Sequence, residues 1–164
     1  MIIGPENTVM EVELTRGKVA LVDSTDMPLL VGRKWKAMFT GGKYWYAVSN
    51  DGVYMHRLIL NAPTGAIVDH INHDSLDNRR ENLRLATTAQ NIAHQRHKRG
   101  CSSKYKGVCW DKHRECWMAQ IKVDWKAKYL GSFDSEKEAT RAYDAAASEA
   151  FGEFAVLNFT EEAE

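Results

Sequence analysis

The chain has 164 residues, of which 44% are hydrophobic, and its 22 basic and 22 acidic side chains leave no net charge. This length accommodates one domain of ordinary size or two small ones. No apolar stretch is long enough to cross a membrane, and the first residues lack the basic and apolar regions of a secretion signal. The three cysteines include no Cys-x-x-Cys pair, which argues against a disulfide framework and a structural zinc site. We therefore expect an intracellular protein.

The first 60 residues predict a β-rich segment. Alternating and β-branched residues predict strands in 11–22, 34–39 and 43–48. The pair Gly41-Gly42 predicts a hairpin turn between the last two, and the run 50–52 predicts another turn after them. A short helix is expected to begin at His56, itself a buried hydrogen-bonding residue, and to end before Pro63. We expect this segment to support the polar motif that follows, because that motif is too small to build a core alone.

The middle of the chain predicts the order strand, loop, strand, helix. The apolar run 66–68 and the alternating Leu83-Arg84-Leu85 predict two short strands around a polar loop. Asp77 in this loop is interpreted as a solvated turn residue. Thr87 and Gln90 have the spacing of a capping box, in which each side chain bonds to the backbone of the other, so a helix is expected to begin there.

Three polar side chains of this region offer the groups that phosphodiester hydrolysis requires. His70 can accept a proton from water, because an imidazole with a reference pKa of about 6.5 is largely neutral at working pH. Asp69 and Asn91 offer hard oxygen ligands of the kind that suit one Mg²⁺ or Mn²⁺, ions that keep several waters in protein sites. Such a cation would stabilise the charge that develops on the phosphate and the leaving oxygen.

The order and spacing of Asp69-His70, Asn82-Leu83-Arg84 and Asn91 resemble the motif of the HNH nucleases of phages and mobile introns. The resemblance implies a ββα-metal fold in which His70 is the catalytic base and Asp69 binds the metal. It also implies that Asn82 holds the loop so that the histidine points at the phosphate, and that Asn91 completes the metal site. His94 shares the helical face of Asn91, so it is an alternative metal ligand or phosphate contact.

The C-terminal third predicts a sheet and a helix. Residues 116–123 alternate, which places Trp117, Ala119 and Ile121 on a packed side and Gln120 and Lys122 on an exposed side. Ser135 and Glu138 are predicted to form a second capping box. An apolar stripe at helical spacing follows, and it is interpreted as core packing; its members are Ala139, Ala142, Tyr143, Ala146, Ala147 and Ala150.

About residues 105 to 159 resemble the Apetala-two DNA-binding domain of plant ethylene-response factors. The matches include Tyr129-Leu130-Gly131 in the sheet, 142–146 in the helix and Asn158-Phe159 in the tail. The resemblance implies a three-stranded antiparallel sheet packed on one helix, with DNA on the other face of the sheet. Plant members carry several arginines on that face, whereas this chain has residues such as Cys109 and Asp111 there. The base preference of the plant domain therefore does not transfer.

The charge distribution agrees with a DNA partner although the total charge is zero. Residues 79–128 hold 13 basic and 4 acidic side chains, whereas 129–164 hold 2 basic and 9 acidic ones. A basic block of this kind, interleaved with tryptophans, favours phosphate binding. The residues expected to contact DNA, whether through bases or phosphates, are Arg84, Arg96, Lys98, Arg99, Lys104, Lys106, Trp110, Lys112, Arg114, Gln120, Lys122 and Lys128.

The sequence therefore predicts an α+β protein in three parts. Residues 1–98 would form a nuclease module with a β-rich extension and a ββα-metal core at about 66–98. Residues 99–104 would be a basic linker, and 105–160 the DNA-binding domain. We expect a metal-dependent endonuclease of the HNH homing or phage type that acts on double-stranded DNA as a monomer. One base and one cation favour nicking; if phage-encoded, the protein would act in the host cytoplasm.

An alternative from another class is a DNA-binding regulator whose nuclease motif is inactive. All four motif residues are present, which argues against that alternative.

Overall fold

The computed structural model describes residues 7–95 and 102–159. The chain falls into two compact units, Met1–Ala86 and Thr87–Glu164. The predicted end of the nuclease module, residue 98, lies beyond this division, so the helix that follows the second strand of the motif belongs to the second unit.

The first unit begins with two antiparallel hairpins. Strands β1 (Val9–Glu13) and β2 (Val19–Asp23) pair around a 3-10 turn at Thr15–Gly17. The predicted strand region 11–22 is therefore interrupted, because Arg16 adopts a left-handed conformation with φ of 63°. Strands β3 (Trp35–Thr40) and β4 (Tyr44–Ser49) pair around Gly41 and Gly42, both with positive φ, as the glycine pair predicted.

Two short helices and a third pair of strands complete the first unit. Helix α1 spans Met27–Leu30 and α2 spans Met55–Ile59. Strands β5 (Ile67–His70) and β6 (Leu83–Ala86) are antiparallel, with Asp69 opposite Arg84 and His70 opposite Leu83. The polar loop 71–82 lies between them, so it starts directly after the predicted base.

The N-terminal segment supports this loop, as the sequence predicted, by sharing both its core and its backbone hydrogen bonds. Val22, Met55, Ile59 and Leu83 belong to one buried cluster, so β2, α2 and β6 share a core. The Leu21 amide donates to the Leu76 carbonyl at 2.9 Å, and the Asn78 amide donates to the Leu21 carbonyl at 2.7 Å. The loop is thus hydrogen-bonded along β2.

An ion pair adds to this attachment. Arg80 donates from Nε and Nη2 to the carboxylate of Asp26, at 2.8 and 2.7 Å, and its backbone amide donates to Asp23 at 2.7 Å. Asp26 is only 2% exposed. Arg79 and Arg80, which the sequence counts toward a basic surface, are therefore held by carboxylates; Arg79 pairs with Asp77 and Glu81.

The second unit begins with α3 (Thr88–Ala93), whose predicted capping box is confirmed. The Thr87 amide donates to the Gln90 side chain at 2.8 Å, and the Gln90 amide donates to Thr87 Oγ1 at 3.2 Å. Strands β7 (Val108–Asp111), β8 (Cys116–Val123) and β9 (Lys126–Phe133) then form an antiparallel sheet with β8 in the centre.

Helix α4 (Glu136–Phe151) packs on this sheet. Val108 and Ala119 of the sheet lie against Ala139, and Ile121 lies against Tyr143 and Ala147. The helix begins after Ser135, but the Ser135 side chain makes no capping hydrogen bond, so the predicted second capping box is wrong. The predicted three-stranded sheet on one helix is confirmed.

The whole is an α+β architecture of small antiparallel sheets and few helices, as predicted. Within the described ranges, no helix has both the length and the apolar character that crossing a membrane requires.

The ion pair between Asp26 and Arg80 allows a test of whether the N-terminal segment stabilises the loop. Asp26→Ala should lower the free energy of unfolding by about 1 to 3 kcal/mol, because it removes charge-assisted hydrogen bonds from a buried carboxylate. The matched control is Asp51→Ala, which removes an exposed partner of Arg33 and should cost less. Urea unfolding monitored by tryptophan fluorescence measures both. Equal losses for the two variants would contradict the assigned role of Asp26.

Candidate functional site

Asp69 and His70 end strand β5, and both side chains are buried. Asp69 Oδ2 accepts a hydrogen bond from Arg84 Nε at 2.9 Å, across the β5–β6 pair. Arg84, a predicted DNA contact, therefore holds the carboxylate that the sequence predicts as a metal ligand. The pair fixes the direction of Asp69 and places a positive charge beside it.

The imidazole of His70 lies in an aromatic cluster formed with Tyr46, Tyr54 and His56. The ring of His56 stands nearly perpendicular to that of His70 with centroids 5.2 Å apart, and the ring of Tyr46 lies 6.2 Å away. Tyr46 and Tyr54 each contact His56 as well, at 5.5 and 5.4 Å. The rings of Tyr46 and His56, which both pack against Tyr54, thus restrict the orientation of His70.

Burial leaves His70 with one nitrogen, Nε2, that makes no hydrogen bond within the described residues. Burial lowers the pKa of His70 below its usual value, and this effect exceeds the opposing influences of the Asn78 side chain and of the carboxylates of Asp69, Asp74 and Asp77. A neutral imidazole with an unoccupied nitrogen can accept a proton.

The aromatic cluster was not predicted from the sequence. His56 is buried, as expected, but its Nδ1 makes none of the expected hydrogen bonds within the described residues. Burial, followed by the charges of His70 and Arg57, lowers the pKa of His56 to about 3. The sequence signal for the cluster was the aromatic run Tyr44-Trp45-Tyr46 in β4. Tyr44 and Tyr46 share one face of the strand, since every second side chain points to the same side.

Asn82 ties the loop together from its buried position at the end of a 3-10 turn. Its Oδ1 accepts from the Asn72 amide at 2.9 Å, and its Nδ2 donates to the Asp77 carbonyl at 2.7 Å. Its own carbonyl accepts from the Ile71 amide at 2.9 Å. One residue therefore connects the start of the loop, its middle and the beginning of β6.

Other loop residues reinforce this conformation. Asp77, predicted to be solvated, is 3% exposed and pairs with Arg79 through both carboxylate oxygens, at 2.8 and 2.7 Å. That arginine holds the pKa of Asp77 below its usual value. Asn72 Nδ2 donates to Asp77 at 2.8 Å, and Ser75 Oγ donates to the Trp45 carbonyl of β4 at 2.6 Å. The interpretation of Asp77 as a solvated turn residue is wrong, because its side chain organises the loop.

Asn91 and His94 lie in the second unit. Asn91 occupies the middle of α3 and is half-buried, whereas His94 is buried and forms the C-cap of that helix, with its amide bonded to the Gln90 carbonyl at 2.8 Å. The structure thus places Asp69, His70 and Asn82 around one loop of the first unit, and Asn91 and His94 on one short helix of the second.

The donor set can be compared with what a metal ion requires. Within the described ranges, no group of three or more His, Cys, Asp or Glu side chains is arranged to hold a metal. As the ligands predicted from the sequence, Asp69 would offer a carboxylate oxygen and Asn91 an amide oxygen, hard donors to which water and phosphate oxygens would be added. That chemistry fits Mg²⁺ or Mn²⁺ and does not fit a structural zinc site.

The predicted DNA contacts of the second unit are exposed, with one exception. The exposed members are Lys104, Trp110, Lys112, Arg114, Gln120, Lys122 and Lys128. Gln120 and Lys122 project from the solvent face of β8, and Lys122 lies 5.3 Å from the ring of Trp125. Lys106, the exception, is half-buried and donates to the backbone carbonyls of Ala93, at the end of α3, and of Gln95, just after it. Arg96, Lys98 and Arg99 fall outside the described residues.

Models of known families match both the region of the polar motif and the C-terminal sheet and helix. A family model described as HNH endonuclease matches residues 53–93, which contain His56, the loop and α3. A second, described as AP2 domain, matches residues 103–153. The second region is thus similar to a DNA-binding domain known from plants.

Two relatives are viral. A protein of Acanthamoeba polyphaga mimivirus, named an uncharacterized HNH endonuclease, is 32% identical over 151 residues, which are 87% of this chain and 76% of that protein. Protein 3.8 of Escherichia phage T7 is 32% identical over 72 residues, which are 44% of this chain and 60% of that protein. The chain therefore belongs to the HNH endonuclease family and carries an AP2 domain in its C-terminal half.

Proposed function

We propose that the protein is a divalent-metal-dependent endonuclease that nicks double-stranded DNA, with His70 as the base that activates the attacking water. The observation that carries this proposal is the state of His70, which is neutral through burial and has an unpartnered Nε2 within the described part of the chain. An imidazole in this state is ready to take a proton without first giving one up.

Asp69 and Asn91 are the proposed ligands of one Mg²⁺ or Mn²⁺, with His94 as the alternative on the same helix. When bound, the cation supplies neutralisation of the charge that builds up on the phosphate and the leaving oxygen. The family membership supports this role, because HNH nucleases are generally dependent on divalent metals. Arg84 orients Asp69 through the 2.9 Å hydrogen bond and adds positive charge near the phosphate position.

Asn82 acts through the loop and not on the substrate. Its two side-chain hydrogen bonds, to the Asn72 amide and the Asp77 carbonyl, fix the backbone that directly follows His70. The aromatic cluster fixes the other side of the imidazole. Together these contacts hold the base in one orientation before DNA arrives, which is the preorganisation that efficient proton transfer requires.

The AP2 sheet is proposed to position the DNA. Its exposed face carries Gln120 and Lys122, and the ring of Trp125 lies beside Lys122, a combination that provides phosphate contacts and flat apolar surface. We propose the functional division as residues 1–98 for cleavage, 99–104 as linker and 105–160 for DNA positioning. A monomer with one base and one cation would cut one strand at a time.

One observation favours the alternative, a DNA-binding regulator with an inactive nuclease motif. The Asp69 carboxylate is paired with Arg84, which competes with a metal ion for the same oxygen. Supercoiled plasmid incubated with the protein and Mg²⁺ or Mn²⁺, with and without chelator, separates the two. Nicked circles that form only with free metal support the endonuclease, whereas plasmid binding without nicks in either metal supports the regulator.

His70→Ala should abolish nicking and leave plasmid binding unchanged. Removal of a general base typically costs about 10² to 10⁴ in rate and removes no phosphate contact. His73→Asn is the matched control, because His73 lies in the same loop with φ of 65°, a conformation that asparagine tolerates. Undiminished nicking by His70→Ala, or an equal loss in the control, would remove His70 from its assigned role.

Asp69→Ala should both slow nicking and raise the metal concentration needed for half-maximal rate, because a charged oxygen ligand is lost. Titration of Mn²⁺ against initial nicking rate measures this. Asp134→Ala, which removes an exposed carboxylate of the second unit, should leave the titration unchanged. An unaltered metal requirement in Asp69→Ala would exclude Asp69 as a ligand.

The same titration distinguishes the two candidates on α3. Asn91→Ala should shift the metal requirement in the way Asp69→Ala does, and His94→Ala should not. The reverse result would make His94 the ligand and Asn91 a structural residue.

The burial of both histidines predicts their titration in the metal-free protein. Because burial disfavours the charged imidazolium, the pKa of His70 should lie below the reference of about 6.5. The pKa of His56 should lie at about 3, so its ring signals should stay constant through the neutral range. Histidine ring resonances followed by NMR against pH, and assigned with His56→Gln and His70→Gln, test this. Midpoints of both residues at the reference value would contradict the buried cluster.

A further inference from the structure

Lys106 makes contacts that neither DNA binding nor the nuclease motif accounts for. Its Nζ donates to the carbonyl of Ala93 and, at 2.7 Å, to the carbonyl of Gln95. Ala93 is the last residue of α3 and Gln95 follows its C-cap, so both acceptors lie where carbonyls lack partners within the helix and the helix dipole is negative. A lysine ammonium group is suited to that position by charge and by its number of donors.

The backbone of Lys106 is fixed by the AP2 fold itself. Asn158 Oδ1 accepts from the Lys106 amide at 2.7 Å, and Asn158 Nδ2 donates to the Lys106 carbonyl at 3.1 Å. Asn158 is held in turn by Asp144 of α4, which accepts from both its amide and its side chain at 2.9 Å. A chain of hydrogen bonds therefore runs from α4 through Asn158 and Lys106 to the end of α3.

The next residue allows no movement of this backbone toward α4. Gly107 has φ of 78°, and a Cβ added there would lie 1.9 Å from a ring carbon of Tyr143. On the other side, Ala89, Ile92 and Ala93 of α3 line a cleft together with Ile121 and Tyr143, and Lys106 lies in the same cleft. Burial lowers the pKa of Lys106 to about 8, as expected for an ammonium group withdrawn from water.

We propose that Lys106 is a positioning residue of the nuclease site, which fixes α3, and with it Asn91, on the AP2 domain. The AP2 domain would then have two roles: it would position the DNA and also hold the helix that carries Asn91. This inference depends on the proposed function through the role of Asn91, whereas the attachment of α3 to Lys106 does not. In this account Lys106 is not one of the phosphate contacts.

The test uses the full chain and three variants. Lys106→Met keeps the aliphatic length but removes the charge and the donors, and Lys106→Arg keeps both. Lys137→Met removes one exposed charge from α4 of the same unit and serves as the matched control. Hydrogen exchange of the peptide covering 88–95, measured without metal or DNA, reports the attachment directly, because the amides of Asn91, His94 and Gln95 are bonded within this segment.

Lys106→Met should accelerate exchange in this peptide and raise the Mn²⁺ concentration for half-maximal nicking by about two- to fivefold, the factor expected when a charge is lost from a helix C-terminus. The rate at saturating Mn²⁺ should change less, because the base is untouched. Lys106→Arg should restore both measurements toward wild type, and Lys137→Met should alter neither. If Lys106 contributed only to overall stability, Lys106→Met would change the Mn²⁺ requirement and the rate at saturating Mn²⁺ together.

Two outcomes would overturn the proposal. One is unchanged exchange in 88–95 of Lys106→Met. The other is a salt dependence of DNA binding flattened by about 0.9 in log-log slope with an unchanged metal requirement, which would make Lys106 a phosphate contact. If the wild-type chain does not nick in any metal, the proposed function fails, but faster exchange in Lys106→Met would still establish the attachment of α3.

Discussion

The Asn82 carboxamide is the constraint on which the first unit's site depends. It satisfies one backbone donor and one backbone acceptor of the loop from a buried position, and no other side chain type of that size offers both groups at once. Aspartate would lack the donor and leucine would lack both, and either would leave loop backbone groups unpaired at a cost of about 1 to 3 kcal/mol each. The orientation of His70 follows from the backbone that these two bonds fix.

The loop between β5 and β6 also needs a rigid neighbour, and β2 provides it. The hydrogen bonds of Leu21 to Leu76 and Asn78, together with Arg80 on Asp26, join the loop to a strand that is distant in sequence. A hairpin of two four-residue strands buries too little apolar surface to be stable alone. The N-terminal segment is therefore part of the site's structure, since its core includes Leu83 of β6.

The features predicted correctly from the sequence are those that residues close together in the chain determine. The Thr87–Gln90 capping box, the Gly41-Gly42 turn and the alternation of β8 each depend on residues a few positions apart, and the structure has all three. The aromatic cluster around His70 combines residues from β4, β5 and the start of α2. Because these elements are separated in sequence, no local pattern shows the cluster. Ser135 stands at the right position for a cap, yet its side chain makes no capping bond, because spacing alone does not fix a rotamer.

The net charge of a stretch of sequence does not show which basic side chains are bound to carboxylates. The candidate DNA-binding surface is therefore smaller than the basic block 79–128 suggests. The block 79–128 owes its excess partly to arginines bound to carboxylates: Arg79 to Asp77, Arg80 to Asp26 and Arg84 to Asp69. Lys106 donates to carbonyls instead. Among the described residues of the block, the other exposed basic side chains lie on the AP2 sheet and its turns. The neutral total charge does not oppose phosphate binding there, because an exposed charge is felt only within a Debye length of about 8 to 10 Å.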